Sequence, residues 1–140
     1  MKKCILFLCT GNSCRSQMAE GWARHLHGGS FDIYSAGIQK HGMNPLAVRV
    51  MAEAGVDISE QQSKLIDELP VKDFDLVITV CANAHESCPV FSGKAKIVHH
   101  GFDDPPKLAQ TAQSEDEAIT HYRRVRNEIR DYIKDLHELI

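Results

Sequence analysis

Lys3-Cys-Ile-Leu-Phe-Leu-Cys-Thr-Gly-Asn-Ser-Cys-Arg-Ser-Gln-Met-Ala-Glu-Gly-Trp-Ala-Arg-His-Leu-His-Gly-Gly29 decides the fold. Lys3 to Leu8 is a continuous apolar run, the pattern of a parallel strand covered on both faces. Thr10 to Arg15 holds turn formers. Met18, Trp22 and Leu26, with Ala19 and Ala23 beside them, then recur at helical spacing until Gly28 and Gly29 stop the pattern. The stretch reads as strand, tight loop, helix.

The same alternation continues outward. Phe31 and Ile33 alternate with Asp32 and Tyr34 in a short second strand. Asn44 followed by Pro45 is a cap and a first turn, and Leu46, Ala47, Val50, Met51 and Ala54 form one helical face that ends at Gly55. Asp57 to Lys72 is polar with scattered apolar residues, a long connection with room for a short helix. Leu76 to Val80 is a third buried strand, rich in β-branched residues, and Lys96 to His99 a weaker fourth. After a turn at Asp103 to Pro106, Ser114 and Glu117 make a capping box. The last helix buries Ile119, Tyr122, Val125, Ile129, Ile133, Leu136 and Ile140, with Arg123, Arg124, Arg126 and Arg130 mostly on its solvated side. Strands alternating with helices imply an α/β fold, a parallel sheet with helices on both faces. Ligands collect at the carboxyl ends of such strands, and three of them end at Cys9, Cys81 and His100.

Composition bounds the function. The 140 residues suit one domain, 1–140, and 43% hydrophobic with 25% charged residues is a globular balance. A net charge of -3 offers no basic field for nucleic acid or anionic lipid. The apolar run Cys4 to Leu8 is too brief for a signal core or a membrane span, so a cytoplasmic protein is expected, and a monomer. Five cysteines exceed what packing requires, and a reducing compartment turns attention from permanent disulfides to metal binding or redox catalysis. Their positions lack the paired spacing of a zinc ribbon, so no metal is expected; a site joining Cys81, Cys88, His85, His99 and His100 is the alternative.

Cys9 and Arg15 frame Thr10, Gly11, Asn12, Ser13 and Cys14, between a strand and a helix. A loop this short turns several N–H groups inward, reinforced by the helix dipole, and forms a cradle for a tetrahedral oxyanion. Arg15 adds a planar fork that can hold two oxygens. The same field stabilises a Cys9 thiolate at neutral pH. Ser16 can donate its hydroxyl to that sulfur, and Gly11 and Asn12 suit positive φ. Cys4 reads as a core residue, and Cys14 as a structural one although it lies in the loop.

Cys9-Thr-Gly-Asn-Ser-Cys-Arg-Ser-Gln-Met-Ala-Glu-Gly-Trp22 closely resembles the thioredoxin-coupled arsenate reductases. Tyr34-Ser-Ala-Gly-Ile38, His41-Gly, Asn44-Pro45, Asp57-Ile-Ser59, the Cys81 and Cys88 pair, and Gly101-Phe-Asp-Asp-Pro105 follow in family order. The resemblance implies the low-molecular-weight phosphatase fold with a four-stranded parallel sheet. It also implies a relay for arsenic detoxification: Cys9 attacks arsenate, Cys81 attacks Cys9 and releases arsenite, and Cys88 attacks Cys81. The segment Ala82 to Ser87 would unwind to show the final disulfide to reduced thioredoxin, the electron donor, with no bound cofactor. Asp104, before Pro105, resembles the general acid of the fold, and Asp103 is the weaker choice. Composition alone leaves Cys81 as a buried strand end, Cys88 as an inert loop thiol and Asp104 as an ordinary Asp-Pro turn. Relatives with a potassium site use residues matching Asn12, Glu20 and Ser35 plus an acid where this chain has Lys64. Its ammonium is expected to replace the cation, pairing with Glu20 or hydrogen-bonding Asn12, against the alternative of a solvated lysine. The competing function is a low-molecular-weight protein tyrosine phosphatase. Gln17 in place of a proline, Pro106 and Lys107 in place of aromatic rim residues, and the extra cysteines weigh against it. A non-enzymatic oxyanion sensor would lack an output, because no DNA-binding helix is apparent.

Overall fold

The computed structural model describes residues 2–81 and 95–140. Cys88, His85, Pro89 and the segment Ala82 to Ser87 lie outside the described residues. Four strands, β1 (Lys3–Cys9), β2 (Phe31–Gly37), β3 (Leu76–Thr79) and β4 (Lys96–His99), form one sheet in the order β2-β1-β3-β4. Every pairing is parallel: Lys3 opposite Phe31 through Cys9 opposite Gly37, Ile5 opposite Leu76, and Leu76 opposite Lys96. The apolar run at the N-terminus is central, as its pattern requires, and Ile5, Leu6, Phe7 and Leu8 are wholly buried. The weaker fourth strand is an edge, and Ile97 on it is exposed.

Helix α1 (Arg15–His27) follows the loop, α2 (Pro45–Glu53) follows β2, and α4 (Glu115–Lys134) closes the chain, with α1 and α2 both packed on α4. Ile119, Tyr122, Val125, Ile129 and Ile133 of α4 are all buried, but the helix ends at Lys134, so Leu136 is buried from a following 3₁₀ turn, Leu136–Leu139, and Ile140 is only half-buried. Arg126 departs from the solvated face: it is half-buried and donates to Val50 O at 2.8 Å. The α4 cap is a shifted box, in which Glu117 N–H donates to Ser114 Oγ at 3.1 Å while the Glu117 carboxylate accepts from Gln113 N–H at 2.8 Å.

Two segments differ from their sequence reading. Asp103 to Pro106 was expected as a turn, but Pro105 begins a short helix, α3 (Pro105–Ala109), with Asp104 at its N-cap. A proline at the first helical position already has the required φ and has no N–H to orphan, so Pro105 starts the helix that Asp104 precedes. The long connection forms one short 3₁₀ turn, Ile66–Glu68, and its stretch 61–64 reaches back to the first loop.

Asn44 joins fold to site. Its side chain accepts from Leu46 N–H at 2.9 Å and Ala47 N–H at 3.3 Å, capping α2, and donates to Tyr122 Oη at 3.0 Å on α4. Asn44→Ala should therefore lower the unfolding free energy by about 1–2 kcal/mol in urea denaturation, the range of a lost N-cap. An unchanged midpoint would contradict this role.

Candidate active site

The loop between β1 and α1 is shaped by what holds its carbonyls. Ile38 N–H donates to Cys9 O at 3.2 Å, Gln39 N–H to Thr10 O at 2.8 Å, His41 N–H to Gly11 O at 3.0 Å and Asn44 N–H to Ser13 O at 3.0 Å. Gln17 Nε2 donates to Asn12 O at 3.0 Å, and Met18 N–H to Cys14 O at 2.9 Å. Ser63 Oγ reinforces Gly11 O at 3.1 Å and Asn12 O at 2.5 Å. Six consecutive carbonyls are thus occupied from outside. In a planar trans peptide C=O and N–H point in opposite directions, so outward carbonyls turn the N–H groups inward. The cradle expected from loop length owes its shape to the connection 38–44, which donates to four of these carbonyls, and to Gln17, Ser63 and Met18, which hold the other two.

Asn12 is the bend. Its φ is 48°, its side chain is wholly buried, and its full hydrogen-bonding capacity is used. Nδ2 donates to Ser16 Oγ at 2.9 Å and Ser35 Oγ at 3.0 Å; Oδ1 accepts from Gln17 Nε2 at 2.9 Å and Lys64 N–H at 2.8 Å. Ser35 passes the network to Glu20, whose carboxylate is 1% exposed. Arg24 at 3.4 Å and the Lys64 ammonium at 3.7 Å balance that buried charge. Lys64 therefore turns toward Glu20, while its backbone rather than its ammonium meets Asn12; the ammonium also donates to Gln62 O at 2.7 Å. The positive φ expected at Gly11 is absent, and glycine is needed there for another reason: the His41 ring occupies the space a Cβ would fill.

A cavity of about 340 Å³ opens on the loop, lined by Cys9, Thr10, Gly11, Ser13, Cys14, Arg15, His41, Asn44, Asp104 and Pro106. A larger cavity of about 670 Å³ lies by Glu20, Arg24 and Lys64 and shares none of these residues, so size does not mark the chemistry. Arg15 enters the site held by Phe102 O at 3.0 Å, with Asp104 Oδ1 3.7 Å from its other terminal nitrogen. The two neighbouring aspartates separate: Asp104 lines the cavity, while Asp103 pairs with Arg124 at 2.8 Å. Ser16 is buried with its oxygen accepting from Asn12, so its oxygen is fixed by the loop itself.

Cys81, just beyond β3, brings its thiol within hydrogen-bonding reach of Cys9, and Thr10 Oγ1 lies 3.1 Å from Cys81 Sγ. Cys4, Cys9, Cys14 and Cys81 are all unbridged thiols. The Cys9 thiol is pushed up, first by the hydrogen bond shared with Cys81 and then by burial, against Arg15 and the Thr10 N–H, which pull it down. This differs from the free thiolate expected of the loop alone, because adjacent strands bring a second sulfur to the same place. Burial pushes the Cys14 thiol up to about 12, with Asp104 adding and Arg15 opposing. Sequence reasoning missed Ser63, whose polar connection carries no motif, and Gln17 as a brace, since only its departure from proline was visible.

The chain belongs to the low molecular weight phosphotyrosine protein phosphatase family, whose model matches residues 4–140. Its relatives within that family carry a narrower name. An arsenate reductase of Bacillus licheniformis is 53% identical over 133 residues, covering 95% of this chain and 94% of that one. A solved arsenate reductase in the phosphate binding state is 32% identical with a TM-score of 0.76, covering 100% of this chain and 99% of the other. The low molecular weight protein tyrosine phosphatase of T. tengcongensis is 26% identical with a TM-score of 0.74, covering 99% and 100%.

The sulfur pair predicts a pH effect. Cys81→Ala removes the largest upward influence on Cys9, so the pH midpoint for alkylation of Cys9 by iodoacetamide, followed by peptide mass spectrometry, should move to lower pH. An unmoved or higher midpoint would contradict the coupling.

Proposed function

We propose that the chain reduces arsenate to arsenite through Cys9, Cys81 and Cys88, and that reduced thioredoxin discharges the final disulfide. One observation carries the reading: the Cys81 thiol stands within hydrogen-bonding reach of the Cys9 thiol, which itself lines the cavity on the loop. A hydrolase has no use for a second sulfur there.

Arsenate sits in the inward N–H groups of residues 10–15 with two oxygens on the Arg15 fork. The Cys9 thiolate attacks arsenic and forms an S–As bond; the departing hydroxyl takes a proton from Asp104 and leaves as water. The Cys81 thiolate then attacks the Cys9 sulfur. An S–S bond forms, the S–As electron pair passes to arsenic, and As(V) leaves as arsenite, As(III). Cys88 attacks the Cys81 sulfur, which releases Cys9 and leaves a Cys81–Cys88 disulfide for the thioredoxin dithiol. Thr10 bonds the Cys81 sulfur in place, and Ser16, with its oxygen fixed by Asn12, has its proton to offer the Cys9 sulfur. The chemistry requires thiols kept reduced between turnovers, so the cytosol is its proposed compartment. Among the described residues no helix is long and apolar enough to cross a membrane.

Arsenate-dependent NADPH oxidation with thioredoxin and thioredoxin reductase tests the relay. The intact chain should turn over, and Cys88→Ser should stop after a single turnover. Continuous turnover by Cys88→Ser would sink the three-cysteine order; hydrolysis of a phosphate ester with no arsenate turnover by either protein would favour the phosphatase reading. Because the Lys64 ammonium already faces Glu20, turnover should also be indifferent to replacing sodium by potassium at constant ionic strength. A clear potassium activation would overturn that assignment.

A further inference from the structure

In the relay proposed above arsenite only departs, yet the reduced site has a property that bears on it. Cys9 and Cys81 are both unbridged and both buried, and the Cys81 thiol lies within hydrogen-bonding reach of Cys9. Paired strands hold them there: Cys9 ends β1 and Cys81 follows β3, with Leu8 opposite Thr79 in parallel register. Thr10 Oγ1, 3.1 Å from Cys81 Sγ, steadies the second sulfur. Cys9 also lines the cavity of about 340 Å³, so the pair is approached from that side.

Two adjacent thiols are a ligand set in their own right. Zinc takes four ligands, and among the described residues no group of three His, Cys, Asp or Glu side chains could hold a metal ion. A trivalent arsenic or antimony hydroxide asks for less: it is neutral, it is soft and so matched to sulfur, and two sulfurs suffice while one hydroxyl stays. We propose that the reduced Cys9–Cys81 pair captures arsenous acid, and its antimony counterpart, as a two-sulfur chelate. Two As–O bonds break and two As–S bonds form. Each departing hydroxyl leaves as water with one thiol proton, and arsenic remains As(III), so no electron is transferred. The first bond brings arsenic against the neighbouring sulfur, which makes the second an intramolecular step and gives the chelate its advantage over a single thiol. Cys14 lines the same cavity, but the sulfur bonded to Cys9 is that of Cys81. Capture occupies the sulfur that attacks arsenate, so arsenite competes with arsenate for the reduced chain. That inhibition rests on the reduction proposed above; the capture itself does not.

The test titrates arsenite anaerobically into the reduced chain in thiol-free buffer. Bound arsenic is read from the ultraviolet absorption of As–S bonds and from the mass of the complex. The wild type should bind one arsenic. Cys9→Ser and Cys81→Ser, each checked for folding by its thermal transition, should bind about 100-fold more weakly or worse, the loss of one arm of a chelate. Cys81→Ala should behave as Cys81→Ser does, while Cys14→Ser and Cys88→Ser should bind as the wild type does. No binding by the wild type, binding retained by the Cys81 variants, or binding lost in folded Cys14→Ser or Cys88→Ser would overturn the proposal. Because no arsenate is present, failure here leaves the relay to its own turnover assay, and a failed relay leaves the capture standing.

Discussion

The side chain of Asn12, with all its donors and acceptors satisfied inside the protein, is the constraint on which the site depends. It holds a non-glycine residue at a φ of 48°, a conformation that costs free energy unless the surroundings fix it. The bonds that fix it come from Ser16 and Gln17 at the start of α1, Ser35 at the end of β2, and Lys64 in the long connection. Each partner is itself buried or braced, and Gln17 is held by Gln61 at 2.7 Å. The bend reverses the chain between strand and helix, and the run 38–44 then takes up the carbonyls that the bend turns outward. The cradle is preorganised in the useful sense: its donors are oriented before any anion arrives, so little reorganisation is required at binding.

The buried Glu20 carboxylate fits the same logic. An unpaired charge at that depth is costly, and the Arg24 and Lys64 cations stand beside it without direct short contact. Side chains of the chain itself supply the positive charge beside it. On the upper side the Cys81 thiol lies within hydrogen-bonding reach of Cys9, and that bond pushes the Cys9 thiol up. Arg15 and the Thr10 N–H pull the other way, toward the thiolate.

Much of this was legible in the residues. The apolar run Lys3 to Leu8, the loop, and the Met18 to Leu26 periodicity placed the central strand, cradle and first helix, because burial on both strand faces and on one helix face leaves distinct periods. Asn44-Pro45 and Ser114 with Glu117 marked helix starts through capping chemistry that is local in sequence. What was not legible is what depends on distant segments meeting. Ser63 and the Lys64 backbone reach the loop, and Gln61 reaches Gln17 of α1, across 44 to 52 positions, and no local period encodes that. Gly11 shows the difference well: its φ is ordinary, and the reason for glycine is a histidine ring contributed by another segment. The raised Cys9 thiol likewise follows from strand order, since β1 and β3 lie side by side and deliver Cys9 and Cys81 together.

The central claim is that Cys81 attacks Cys9 once arsenate is bound, and trapping that bond tests it most directly. Cys88→Ser protein treated anaerobically with one equivalent of arsenate, then alkylated and mapped by peptide mass spectrometry, should contain a Cys9–Cys81 disulfide in proportion to the arsenite released. Release of arsenite with Cys81 fully alkylated, or a disulfide joining Cys9 to Cys14 instead, would contradict the account.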